Sequence, residues 1–219
     1  MTRNEETIRA APAPVATAST WRSGLAAVAV VVVGAAAVGG LTPYGQRYLP
    51  HALSSFANSA GSWTALAFAL VYLSRSRTWL AAVLGAVAFV VMNEAYGVVS
   101  NLRGSFYGAP FGGIFAVVAV VAGPVLGVAA SLVRSAVELR RMLGCAVPAA
   151  VLVGEGVYGL TLIADTTSPV YWSLQALVGV AIATLVPLRT GVKASTMTLG
   201  LAVTAIGAAV FYVCYAFVL

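Results

Sequence analysis

The sequence predicts an all-α fold, a polytopic membrane bundle of seven transmembrane helices with the N-terminus cytoplasmic and the C-terminus external. Three observations carry that reading. The chain is 61% hydrophobic with only 8% charged residues and a mean hydropathy of +0.97, whereas about a quarter of a water-soluble domain is charged. Apolar stretches long enough to cross roughly 30 Å of hydrocarbon as helices recur along almost the whole chain after residue 23. The basic residues alternate in density from one interhelical segment to the next. Runs such as "VAVVVVGAAAV" are apolar on every face and lack the alternation of a membrane β-strand.

Residues 1–23, "MTRNEETIRAAPAPVATASTWRS", are rich in Ala, Pro, Thr and Ser without apolar periodicity, and read as a disordered cytoplasmic tail. Residues 24–219 form the transmembrane domain, with spans expected at Gly24–Leu41, Ala57–Leu73, Trp79–Val99, Phe111–Val133, Leu143–Ile163, Tyr171–Leu188 and Met197–Leu219. The first of these is too long for the core of a signal peptide and suits a membrane helix. Arg3, Arg9, Arg22, Arg75, Arg77, Arg134, Arg140, Arg141, Arg189 and Lys193 then fall on one side, and only Arg47 and Arg103 on the other. This bias places the first group in the cytoplasm of a multi-pass cell-membrane protein. The net charge of +6 reflects it; no basic cluster with interleaved aromatics points to nucleic acid. Cys145 and Cys214 are expected at opposite membrane faces, as packing residues and not as a disulfide.

Topology sorts the six acids by depth. Glu5, Glu6 and Glu138 lie in cytoplasmic water, which leaves Glu94, Glu155 and Asp165. At the helical rise, Glu94 and Glu155 stand roughly 22 and 18 Å above the starts of their spans, at similar depth in the outer half. Asp165 ends the fifth span two to three turns above Glu155. An ionisable group inside a span costs about 2.5 to 3.5 kcal/mol on insertion scales and marks a functional site by default. The structural alternative is an ion pair, with Arg47 or Arg103 reaching down to Asp165 or Glu94. Glu155 fits that alternative least, because Gly154 and Gly156 beside it permit close approach of a helix or ligand and Tyr158 projects near the same face. Desolvation penalises the charged form, so Glu155 is expected there as the neutral acid.

Polar and aromatic residues crowd the same layer. The third span reads "VVMNEAYGVVSNLRG", with Asn93, Glu94 and Tyr96 in its outer turns. The external segments hold Tyr44, Tyr48, His51, Phe56, Asn58, Trp63, Phe106, Tyr107, Phe111, Tyr171 and Trp172, and the seventh span adds Phe211, Tyr212 and Tyr215 at outer depth. Part of this is the interfacial belt of Trp and Tyr. Acids and rings are nevertheless expected to converge on one cavity, with Glu155, Glu94 and Asp165 as catalytic candidates and Asn93, Tyr96, Tyr158, Tyr215, Phe211 and Trp172 lining it. No metal is expected: His51 is the only histidine, and Asp-rich pairs, phosphate loops, H-E-x-x-H and nucleophile elbows are absent from the sequence. Gly123 to Gly127 is a small-xxx-small packing element.

Neutral acids and ring quadrupoles in a lipid-accessible pocket suit protonation of an isoprenoid double bond or epoxide, followed by cyclisation through carbocations. In length, span count and the placement of "NEAYG" and "GEGVYG", residues 24 to 219 resemble the small integral-membrane terpene cyclases of fungal meroterpenoid and actinobacterial indole-sesquiterpenoid pathways. The resemblance implies two intramembrane acids, carried onto Glu94 and Glu155, acting without cofactor, metal or diphosphate loss on a lipophilic prenylated small molecule delivered through membrane lipid. The rival expectation is a small proton-coupled transporter or substrate-binding membrane subunit using the same acids for protons or a cation.

Overall fold

The computed structural model describes residues 18–105, 107–108, 111 and 114–218, with side chains described from Gly24 onward. Residues 1–17, most of the expected tail, and Phe106 lie outside the described residues. The described chain is helical throughout, in the order α1 (Ala18–Tyr48), a short 3-10 helix (His51–Asn58), α2 (Ala60–Ser74), α3 (Thr78–Leu102), α4 (Ile114–Leu132), α5 (Glu138–Leu162), α6 (Pro169–Arg189) and α7 (Ala194–Val218). Six of these helices, all but the 3-10 helix and α2, are long and apolar enough to cross a membrane. The first begins at Ala18, ahead of the expected Gly24.

The second expected span, Ala57–Leu73, is α2, which starts three residues later and has the 3-10 helix ahead of it. The 3-10 helix and α2 meet at a bend of 64°, and α2 alone, with 15 residues, reaches only about 22 Å. Its start is enclosed, Ser59, Gly61 and Ser62 being buried, and the backbone N–H groups of its first turn need acceptors there. At the other end, Arg75 adopts a left-handed conformation and its N–H closes on the Tyr72 carbonyl, which ends the helix.

Helix α1 packs on α3, and α3 on α4; α5 packs on α6 and α7; α2 lies between these two groups, against α1, α3, α4 and α5. The core around α2 is small-residue packing: Ala27, Val31, Ala35, Ala67, Val71, Ala81, Leu84, Ala88, Met92, Leu126 and Ala130. Large apolar residues instead face outward, Leu25, Val33, Val120, Leu177, Ile206 and Phe217 among them. That inversion of the water-soluble pattern suits a lipid solvent, in which association depends on close packing and small interfacial residues. The Gly123–Gly127 element packs as expected: a methyl group at Gly123 would strike the Ala86 backbone, and one at Gly127 the Ala81 carbonyl. Cys145 is buried, Cys214 exposed, and both are free thiols.

Candidate functional site

Glu155 sits two turns before the end of α5 and is 1% exposed, enclosed because its flanking glycines admit two helices. Gly154 faces the Ala208 backbone of α7, and Gly156 faces Trp172 and Ala176 of α6. The carboxylate meets the buried start of α2. The Ala60 N–H donates to Oε1 at 2.8 Å and the Gly61 N–H to Oε2 at 2.6 Å. Gln175 Nε2 from α6 donates to Oε2 at 2.8 Å, and Ser59 Oγ to the same oxygen at 2.6 Å. Gln175 Oε1 is a second acceptor within reach of the Ser59 hydroxyl, at 2.8 Å, but it already receives the Tyr171 hydroxyl. Ser59 Oγ in turn accepts from the Ser62 N–H at 3.1 Å. The orphan donors of the α2 first turn are thus divided between a local cap, Ser59, and a carboxylate supplied by another helix.

Four groups lie within donating distance of the carboxyl oxygens, and one of them, the Ser59 hydroxyl, also reaches Gln175 Oε1 at 2.8 Å, so it can donate there and accept from a protonated Oε2. The positive end of the α2 dipole, about half an elementary charge, points at the same oxygens.

On its remaining side Glu155 lines a cavity of about 290 Å³ shared with Tyr158, Ile163, Thr167, Trp172, Tyr215 and three residues of the 3-10 helix, Ser54, Ser55 and Asn58. The rings are braced. Tyr158 and Tyr215 meet edge to face at 4.9 Å, and Phe211 stacks on Tyr215 at 5.2 Å. Trp172 packs over Gly159 and donates from Nε1 to Thr167 Oγ1 at 2.8 Å. Of the residues expected at the site, Glu155, Tyr158, Tyr215 and Trp172 therefore line one cavity, with Phe211 behind Tyr215.

Glu94, Asn93 and Tyr96 do not line that cavity, and the expectation that both intramembrane acids face it is corrected. Glu94 is half-buried and accepts from Asn93 Nδ2 at 3.2 Å and from the Phe111 N–H at 3.0 Å. It secures a turn in which Phe111 holds a left-handed φ of 54°, a costly conformation for a bulky residue. Asn93 accepts the Tyr107 hydroxyl at 2.8 Å, and the Tyr96 and Tyr107 rings meet edge to face at 4.9 Å. Two helices rotate their outer faces differently, and equal depth does not make a shared site. Asp165 is exposed in the turn after α5 and is likewise not among the cavity's lining residues. Arg47 and Arg103 lie over the Tyr48 and Tyr44 rings.

The two clusters are joined by polar residues that the acid-centred reading passed over. Gln46 Nε2 lies 2.6 Å from Asn58 Oδ1, at the cavity wall, and 3.2 Å from the Tyr96 hydroxyl. Ser59 and Gln175 were also missed. Their signals are present in the sequence: "NSAGS" is a capping cluster in the middle of an apolar run, and Gln175 is an amide inside a span.

Residues 18–218 match a family of unknown function, DUF6518, and the chain belongs to that family. No curated protein and no solved structure matches it.

Proposed function

We propose that this member of DUF6518 is a seven-span protein of the cell membrane, its N-terminus cytoplasmic, whose outer-half cavity binds a compact organic cation. The observation that supports the binding role is the joining of a buried carboxylate to three aromatic rings, Tyr158, Trp172 and Tyr215, around one cavity. The α2 terminus offsets about half the carboxylate charge, and the remainder, with the ring quadrupoles, favours a desolvated cation. At about 290 Å³ the space lies at the small end of ligand pockets, about 300 Å³ upward. Broken helices beside a polar site are also how many transporters build their binding sites; here the bend of 64° precedes an α2 N-terminus whose positive end is taken up by the Glu155 carboxyl and is not offered to the ligand. This is the transporter or substrate-binding alternative, with Glu155 and not Glu94 as its charge.

A binding comparison tests it. A trimethylalkylammonium ion should bind the purified protein more tightly than its neutral carbon isostere. Tyr158→Leu and Tyr215→Leu should each weaken that binding about 2- to 30-fold, the span of a cation–π contact, while leaving the α2 cap intact. Equal binding of ion and isostere overturns the reading. The terpene cyclase is the second reading, favoured by the same rings, which would equally stabilise a carbocation. It requires an acid, and Glu155 is the buried carboxyl group beside those rings. Conversion of a prenylated substrate to an isomer of equal mass and altered retention would decide for it.

The span count rests on taking the bent pair as one crossing, which gives up to seven, and the orientation on the basic residues. A reporter fused after Leu219 should report the external side; a cytoplasmic signal overturns both.

A further inference from the structure

A second site lies at the arginine-rich end, away from the Glu155 cavity. Helix α4 is drawn onto α3 by glycines: a methyl group at Gly85 would enter the Gly123 carbonyl, and one at Gly127 the Ala81 carbonyl. Its approach to α5 is confined to a crossing at Gly144, where a methyl group would lie 2.7 Å from the Ala129 carbonyl and 2.6 Å from the Val133 amide. Beside that crossing, Pro124, Val125, Val128, Ala129 and Leu132 of α4 and Leu143 and Val147 of α5 line a groove of about 330 Å³. Every lining side chain is a hydrocarbon. No side chain in the groove can hydrogen-bond a polar ligand, and a lining of this kind suits an alkyl chain.

The charge at the groove's end says which alkyl chain. Arg140 precedes Leu143 and Val147 by three and seven positions, so all three occupy one stripe of α5. The two neighbouring arginines are engaged elsewhere: Arg134 donates to the Tyr72 and Ser76 carbonyls, and Arg141 to those of Ser135 and Thr190. Arg140 is exposed. Glu138 is two residues away, roughly 200° around the helix, and accepts the Lys193 N–H at 3.1 Å. We propose that the α4–α5 groove and Arg140 form a site for one anionic phospholipid, an acyl chain lying in the groove and the headgroup phosphate on the guanidinium.

A lipid chain gains little by leaving other lipid chains for an apolar groove, since both surroundings are hydrocarbon. Selection must come from the charge. One arginine at a membrane surface favours an anionic headgroup about fivefold. In nanodiscs containing equal phosphatidylglycerol and phosphatidylcholine, the full chain should therefore retain the anionic lipid about fivefold over the zwitterionic one when extracted and weighed by native mass spectrometry. Arg140→Gln should remove the preference while a lipid is still retained. Val128→Phe should fill the groove and lose the retained lipid altogether. Arg189→Gln, at the same end but on α6, should leave the fivefold ratio in place. Equal retention of the two lipids by the unaltered chain overturns the proposal, as does loss of the preference with Arg189→Gln as fully as with Arg140→Gln.

Discussion

Glu155 and Glu94 stand at matching positions along α5 and α3, two helices of 25 residues with α2 between them, yet they are different kinds of residue. Glu155 is enclosed and joins three separate pieces of chain, the α2 start, α5 and α6, through four donors. Glu94 is half-buried and holds its own neighbour and one loop amide. The first stabilises a helix end that could not otherwise exist away from water, and borders a cavity while doing so. The second secures a loop. An acid within a span is thus informative through its partners and only weakly through its depth.

Replacing each acid by leucine should separate the two most widely. Glu155→Leu leaves the Ala60 and Gly61 N–H groups without their acceptor, while Gln175 keeps its bond to the Leu152 carbonyl, and each unpaired buried group costs about 1 to 3 kcal/mol. A loss of about 3 to 5 kcal/mol is expected, read as a collapse of thermal stability in detergent. Glu155→Gln should cost less, about 1 to 3 kcal/mol, because one oxygen still accepts while the new amide faces other donors. Glu94→Leu should cost no more than about 1 kcal/mol, since water reaches the loop amide it releases. Equal losses for the two leucine variants would sink the distinction between them.

How far the sequence revealed this depends on what each physical signal encodes. Hydropathy and the basic residues are properties of segments, and they located six long helices while leaving their ends loose, α1 running Ala18–Tyr48 where Gly24–Leu41 was expected. The bend was not legible in hydropathy, because the polar cluster "NSAGS" at it reads equally well as the ordinary start of a span, and no proline marks it. The α2 cap, Ser59, was readable as a local signal and was outweighed by the length of the apolar run. The rotation of each helix was hidden more deeply. A span that is apolar on every side gives a period of 3.6 nothing to register, so Glu94 and Glu155 could be placed in height and not in azimuth. Gly154 and Gly156 were the exception: close approach was expected at them, and α7 and α6 supply it.

The smallest expected effect lies on the Glu94 side and uses the proton of Tyr107, which stands outside the spanning helices. Its ring covers Gly97, where a methyl group would lie 2.7 Å from it, and its hydroxyl donates to buried Asn93. Burial, followed by the neighbouring Tyr96 and Glu94, raises its pKa above the ordinary value of 10.0. A raised value means that the folded state holds the phenol proton more tightly than the unfolded chain does. The contribution is therefore complete below pH about 10 and is lost as the pH rises through the folded value. Tyr107→Phe removes the hydrogen bond at neutral pH and should cost about 0.5 to 1.5 kcal/mol. Above the folded pKa the two proteins should converge in stability, because the ionised phenol no longer donates. The difference in phenolate absorbance between wild type and Tyr107→Phe should titrate above pH 10. A midpoint at or below that value would mean that the ring does not sit over α3, and the contrast between a loop-securing Glu94 and a helix-capping Glu155 would lose its weaker half.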